Sequence, residues 1–455
     1  MGRTRPVRPR RPGKGRRRAG RPARLNRAAP RQATSSQEHQ SVTKTRDILD
    51  EDEKIDVLLA CRPVYNRGQD VAAIQLLLEQ NGGDQGASLS DLEHSSPVIL
   101  GTYASLFQNG RVEAVPSFLR VSEEVVLAPQ LTALPKKQYI LEIPGDLLLT
   151  SDLVERLRGL ARRGYRLALA DYDPDDDELD VLLDVVHIVK VNTRQLDRDG
   201  VRRAAERLRR HGVEMLADRL DDRSAFRHCV ELGFDYYQGD FLRAPEPVKG
   251  KKIAGNKLLL LQLLSELHSP DASPARLEEI AIKDAQLTWR ILRTVNSAAM
   301  GLRREVNSIS HAIALLGLDE IRRWANLFLV EGAPEKPEAL TRDMLVRGRM
   351  CEALSELCDR DNPVDHFIVG LLSQLDALLD IGMPELMEQV PLSQDVKAAL
   401  LERAGGLGEI LTEVEAYQAG RFDALRLLGD RRYYEVAYRH SVAWARQVQQ
   451  AMSPD

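Results

Sequence analysis

The chain has 455 residues, 43% hydrophobic and 29% charged, with a formal net charge of −4. That length holds two or three domains, each able to bury its own core. No apolar run approaches the roughly 20 residues that cross a bilayer, and four cysteines (Cys61, Cys229, Cys351, Cys358) are too few and scattered for a disulfide scaffold.

The balance of charge is uneven. Residues 1–46 carry 15 Lys and Arg against one acid, Glu38, so the remainder is strongly acidic. This tail is Arg, Pro, Gly and Ala with almost no large apolar side chains, so nothing there offsets the entropy of ordering. We expect residues 1–50 to be disordered. The tail reads as a solvated extension, as a basic arm for nucleic acid or an acidic partner, or as translation from an upstream start. Its charged part is not followed by the apolar core, about 7 to 15 residues long, of a secretory signal. The expected compartment is the reducing cytoplasm.

Structured sequence begins near residue 51. A strand runs into Cys61–Tyr65, Asn66–Asp70 punctuates a turn, and a second strand follows at Val71–Leu77. Gly82–Gly86 reads as a loop. From residue 139 strand and helix alternate, with strands near 139–143, 166–171, 186–191, 213–217 and 235–238. Three of them end on polar groups: Glu142, Asp171, and Lys190 with Asn192. A helix is expected over 199–211, with Asp199 as its N-cap and Gly212 just past its end. Such alternation argues for a parallel sheet with outer helices, either an open doubly wound sheet or a closed barrel. In a parallel barrel, side chains at the C-terminal strand ends share one mouth.

Pro245-Glu-Pro247 breaks the alternation, and beyond Gly250 the pattern is helical alone. Expected helices include Lys257–His268, one starting at Pro274 with Ser273 as cap, Leu287–Met300, Ser310–Leu316, Asp319–Val330, Leu340–Arg360 and Val364–Asp380. The expected domains are therefore 51–247, mixed α/β, and 248–455, all-α. Cys351 and Cys358 are seven apart with no ligand cluster nearby, and read as helix residues rather than a metal site.

The first half resembles the EAL domain, a TIM-like barrel that binds and hydrolyses cyclic di-GMP with carboxylates and an Asn around divalent metals. The resemblance sets Gln75-Leu76-Leu77 at the namesake motif, so its carboxylate is a neutral Gln. A metal-binding Asn position holds Arg120. Glu142 is kept. Of a paired Asp motif the first position is Ala170 and the second Asp171. A Val-Lys-Ile-Asp motif reads Val189–Asn192, keeping Lys190 and replacing the Asp by Asn192. A Glu position holds Asp218, and a Gln-Gly motif is intact at Gln238-Gly239. Hard divalent ions need several anionic oxygens, and an arginine at the mouth repels them. The expectation is no metal, no cofactor and no catalytic residue: a vestigial pocket.

The second half resembles the HDOD domain, a relative of HD-type phosphohydrolases without their metal-binding His-Asp. The carrying residues are Ala281–Leu287, Ile291–Ser297, Gly301 and Val306–Gly317. Where active HD enzymes read Gly-Leu-Leu-His-Asp, this chain reads Gly370-Leu-Leu-Ser373-Gln374. His311 and His366 read as packing residues rather than ligands. The tandem resemblance implies a bacterial signal-transduction regulator. The sequence reading is a non-enzymatic adaptor working through protein contacts in cyclic di-GMP or motility signalling, with exposed apolar side chains at the domain junction. The alternatives are a cyclic di-GMP sensor that does not hydrolyse it, a weak phosphodiesterase, or a nucleic-acid binder through the basic tail.

Overall fold

The computed structural model describes residues 59–78, 115–245, 272–281, 308–330, 336–390 and 392–452, with isolated positions between 260 and 306. The tail, the Gly82–Gly86 loop, the 247/248 boundary and most of the Lys257–His268 and Leu287–Met300 helices lie outside the described residues.

Eight strands close into a barrel in chain order: β1 (Leu59–Asn66), β2 (Val71–Leu78), β3 (Ser117–Arg120), β4 (Tyr139–Ile143), β5 (Arg166–Leu169), β6 (Ile188–Asn192), β7 (Glu214–Leu220) and β8 (Tyr236–Gly239). It is not wholly parallel, as expected from the sequence. β1 runs antiparallel to both β2 and β8. The cause is local: only Arg67–Asp70 separate β1 from β2, and a parallel pair needs a crossover of about a dozen residues. Asn66 stabilises that turn, its Oδ1 accepting from the Asp70 amide at 3.0 Å, while Gln69 takes a left-handed φ of 66°.

The outer helices of this half are α1 (Glu123–Leu127), α2 (Ser151–Arg162), α3 (Asp180–Leu183), α4 (Arg198–His211) and α5 (Arg223–Glu231). α4 buries Val201, Ala204, Ala205 and Leu208 at helical spacing and stops at Gly212, whose φ is 68°. Its cap is Asp197, not the expected Asp199: the Asp197 carboxylate accepts from the Gly200 amide at 2.7 Å. Asp199 sits inside the first turn and pairs with Arg202.

Strand periodicity positions the site. Val64, Ala73, Phe118, Ile140, Ala168, Ile188 and Leu216, with Tyr236 packed against them, form an apolar layer inside the barrel, one residue per strand. Side chains alternate with period two, so the next inward layer toward the C-terminal ends falls on Gln75, Arg120, Glu142, Ala170, Lys190, Asp218 and Gln238. On the reversed β1 it falls on Arg62, the register partner of Gln75.

The described residues from 272 onward contain helices and no strand: α6 (Pro274–Ala281), α7 (Ile309–Leu316), α8 (Leu318–Val330), α9 (Glu338–Leu357), α10 (Pro363–Leu372), α11 (Leu375–Leu379), α12 (Met383–Gln389), α13 (Gln394–Glu402), α14 (Gly405–Gln418) and α15 (Arg432–Met452). Ser273 caps α6 as expected, accepting from the Arg276 amide at 3.3 Å. α9 is the central helix and packs against α10, α14 and α15. Its crossing with α10 is backbone-close: a Cβ on Gly370 would lie 2.7 Å from the Arg347 carbonyl oxygen. The single helix expected over Val364–Asp380 is broken at Ser373 and Gln374. The Ser373 hydroxyl donates back to the Gly370 carbonyl at 2.8 Å, and Gln374 leaves helical geometry.

The helical half docks on the barrel's mouth end. Arg62 donates to the Ala419 carbonyl at 3.0 Å, and the Tyr438 hydroxyl to the Cys61 carbonyl at 3.2 Å. A Cβ on Gly420 would lie 2.8 Å from the Leu77 side chain.

Candidate functional site

The expected mouth residues do converge. Lys190 and Glu142, 2% and 1% exposed, form a buried ion pair at 2.9 Å. Gln75 completes it: its carbonyl oxygen accepts from Lys190 at 2.9 Å, and its amide donates to the Glu142 carboxylate at 3.1 and 3.3 Å. The Lys190 ammonium also lies 5.6 Å from the Phe118 ring centroid and 3.9 Å from Asp218. A buried pair of this kind holds only when its remaining donors and acceptors are met, and Gln75 meets them.

A second group sits nearer the rim. Arg120 lies 3.4 Å from Asp171 and 3.9 Å from Glu142. Asn192 donates to the other Asp171 oxygen at 3.3 Å. Asp171 is held between them at a φ of 52°, a left-handed conformation that Asp tolerates better than most residues. Ala170 is buried and brings only a methyl group. Asp218 accepts from the Arg219 amide at 2.8 Å.

Two buried donors in this layer have no acceptor among the described residues: the Arg120 Nε and the Gln238 Nε2. Gln238 is 0% exposed, and its Oε1 is likewise unmet. Buried polar groups are nearly always hydrogen-bonded, so these atoms are free hydrogen-bonding capacity at the mouth, open to water or a ligand.

The donor set does not fit a pair of close divalent ions. Glu142 already meets Lys190 and the Gln75 amide, and Asp171 meets Arg120 and Asn192. A metal there would have to displace fixed cations.

Sequence reasoning missed Arg62. Its guanidinium makes no ion pair within 4.0 Å among the described residues, and burial lowers its pKa, Arg219 and Arg243 adding to that while Asp218 and Asp240 oppose it. The period-two pattern applied to a reversed β1 would have found it.

In the helical half, Ser373 accepts from Arg347 at 3.0 Å, and the Gln374 amide donates to Asp343 at 2.8 Å. His366 is buried as expected, though its Nδ1 has no partner among the described residues; burial, with Arg360 adding, lowers its pKa to about 4. His311 is exposed, not the packing residue expected, because it lies on the outer side of α7. Exposed large apolar side chains (Leu127, Leu148, Val181, Leu315, Leu401) do not line the domain junction, which sets charged groups such as Arg62, Arg243 and Asp343 among apolar ones such as Leu242, Leu340 and Val442.

Comparison with known proteins follows the same division. A family model of the HDOD domain matches residues 257–404. The cyclic di-GMP phosphodiesterase CdgJ of Vibrio cholerae is 29% identical over 378 residues, covering 81% of this chain and 86% of that protein. YuxH of Bacillus subtilis, an uncharacterized protein, is 26% identical over 390 residues, covering 84% and 95%. Among solved structures, the FimX EAL domain aligns at 12% identity and a TM-score of 0.32, covering 45% of this chain and 94% of that one. The EAL domain of Mycobacterium smegmatis DcpA aligns at 17% and 0.32, covering 40% and 90%.

The chain carries an HDOD domain preceded by a closed eight-stranded barrel, the order expected from the sequence. One expectation is overturned. The sequence reading made the chain a non-enzyme, yet the curated relative with a named activity, aligned over most of both chains, is a phosphodiesterase. No described helix is long and apolar enough to cross a membrane.

Proposed function

We propose that the barrel mouth is a cyclic di-GMP site, and that the chain is a cytoplasmic signalling protein that responds to this dinucleotide. The observation carrying the reading is the pair of buried donors, Arg120 Nε and Gln238 Nε2, left without acceptors among the described residues while the mouth carboxylates are already held. A phosphodiester offers anionic oxygens to both, and charge-assisted bonds to a guanidinium are among the strongest available. The relative's substrate is a cyclic dinucleotide carrying two such diesters. Four free cysteines, three of them buried, support a reducing compartment.

Equilibrium binding of cyclic di-GMP to the wild type, Arg120→Ala and Gln238→Leu tests the site. Both variants are expected to lose at least about tenfold in affinity, or about 1.4 kcal/mol. Undiminished binding by both would move the ligand elsewhere.

A second reading, hydrolysis of the bound diester, has the phosphodiesterase relative behind it. It requires turnover with Mg²⁺ or Mn²⁺ that is lost in Glu142→Gln. Metal-dependent turnover that persists in that variant would remove the mouth as its seat.

A further inference from the structure

We propose that Asp343 latches the helical half to the rim of the barrel, and that this latch carries the state of the mouth to the Ser373–Gln374 turn. The inference rests on the mouth being the ligand site and names how that site is read.

The path is short and continuous. Gln238 of the mouth is followed by Gly239, with a φ of 144°. A Cβ there would fall 2.3 Å from the Leu220 carbonyl oxygen, so the end of β8 is pressed against β7. A tight turn then returns Arg243 to Asp240, amide to carbonyl at 2.8 Å and guanidinium to carboxylate at 2.9 Å. From that turn Arg243 crosses to α9 and grips Asp343 with a two-pronged fork, at 2.7 and 2.9 Å. The Gln374 amide donates to the Asp343 Oδ2 that the Arg243 Nε also holds, at 2.8 Å. One turn along α9, Arg347 binds Ser373 at 3.0 Å and Gln418 at 2.9 Å. Ser373 and Gln374, which replace a catalytic pair in the resemblance, here form the far end of a chain that begins in the barrel.

Two features make this more than a static contact. First, Asp343 stands between two guanidiniums. Burial alone would raise its carboxyl, but Arg243 and Arg347 hold it below the usual range. Without its charge, two cations face each other across the junction. Second, a forked arginine–carboxylate pair depends on geometry, so movement of the β8 turn alters it directly. β2, which carries Gln75, also meets the helical half, at Leu77 against Gly420. The strands that bear Gln75 and Gln238 therefore both end on this junction. The cavity between the halves is about 70 Å³, room for a few waters and not for a nucleotide.

Hydrogen exchange on the full chain tests the latch with and without cyclic di-GMP. Asp343→Asn, with Gln374→Ala as a milder second variant, is compared with Arg360→Gln, which removes an ion pair to Glu409 elsewhere in the helical half. Without ligand, Asp343→Asn is expected to speed exchange at least fivefold in both 239–245 and 373–379, and Arg360→Gln in neither. With ligand, the wild type changes protection at 373–379, while Asp343→Asn binds within about threefold of wild type yet shows no change there. Unaltered exchange at 239–245 in both latch variants overturns the proposal. So does ligand binding that leaves 373–379 unchanged in the wild type. If the wild type binds no cyclic di-GMP, the mouth reading fails, and the ligand-free arm still decides the latch.

Discussion

Lys190 is 2% exposed and has one close carboxylate, so its removal leaves buried Glu142 with the neutral Gln75 amide and only a more distant cation, Arg120 at 3.9 Å. Lys190→Met is expected to destabilise the fold by about 3–5 kcal/mol, the usual cost of breaking a buried pair from one side. Replacing both partners, Lys190→Met with Glu142→Leu, should recover most of that loss in urea unfolding. A double variant no more stable than the single would deny that the pair is the cause. His366 makes a second residue-scale prediction. Its folded pKa, about 4, lies below the unfolded value near 6.5. A depressed pKa contributes stability above the unfolded value, and that stability is lost as pH falls from about 6.5 toward 4. His366→Phe should flatten this acid limb, by at most about 3 kcal/mol at the low end. An unchanged limb would place the titration elsewhere.

Elements tell how far the sequence could be read. Glu142 and Lys190 were legible as polar groups at the ends of apolar strands, and Gln75 through the motif that the resemblance sets on it. Their hydrogen bonds were not, since a period says nothing about what closes the ring. Arg62 was hidden by the reversal of β1, whose direction is set by a four-residue turn rather than by its own pattern. Asp199 looked like a cap because a Ser/Thr/Asp/Asn before an apolar periodic run is the usual sign; Asp197, one position before Arg198, carries the same sign and wins by geometry. Asp197→Ala should therefore cost about 1 kcal/mol, and Asp199→Ala about half or less. Equal losses in thermal unfolding would restore Asp199 as the cap. The break at Ser373 was illegible for another reason: the residues around it are good helix formers, and the turn depends on Arg347 and Asp343, which lie on a different helix.

At the scale of the whole molecule, the helical half meets the barrel beside its mouth rather than on a distant wall. The contacts that place it there, Arg62 with Ala419 and Arg243 with Asp343, span 357 and 100 residues of sequence. No local pattern encodes such pairs, which is why the polar contacts set among the junction's apolar side chains were not legible in the sequence. The same arrangement bears on binding. Cations hold the mouth carboxylates, and the unmet donors belong to Arg120 and Gln238, so the dinucleotide should bind through protein donors without a metal bridge. Calorimetric titration of cyclic di-GMP into the full chain in the presence of a divalent-metal chelator tests this most directly. Binding at micromolar affinity, unchanged when Mg²⁺ replaces the chelator, is the expected result. No heat at high micromolar ligand, or binding that appears only with Mg²⁺, would contradict it.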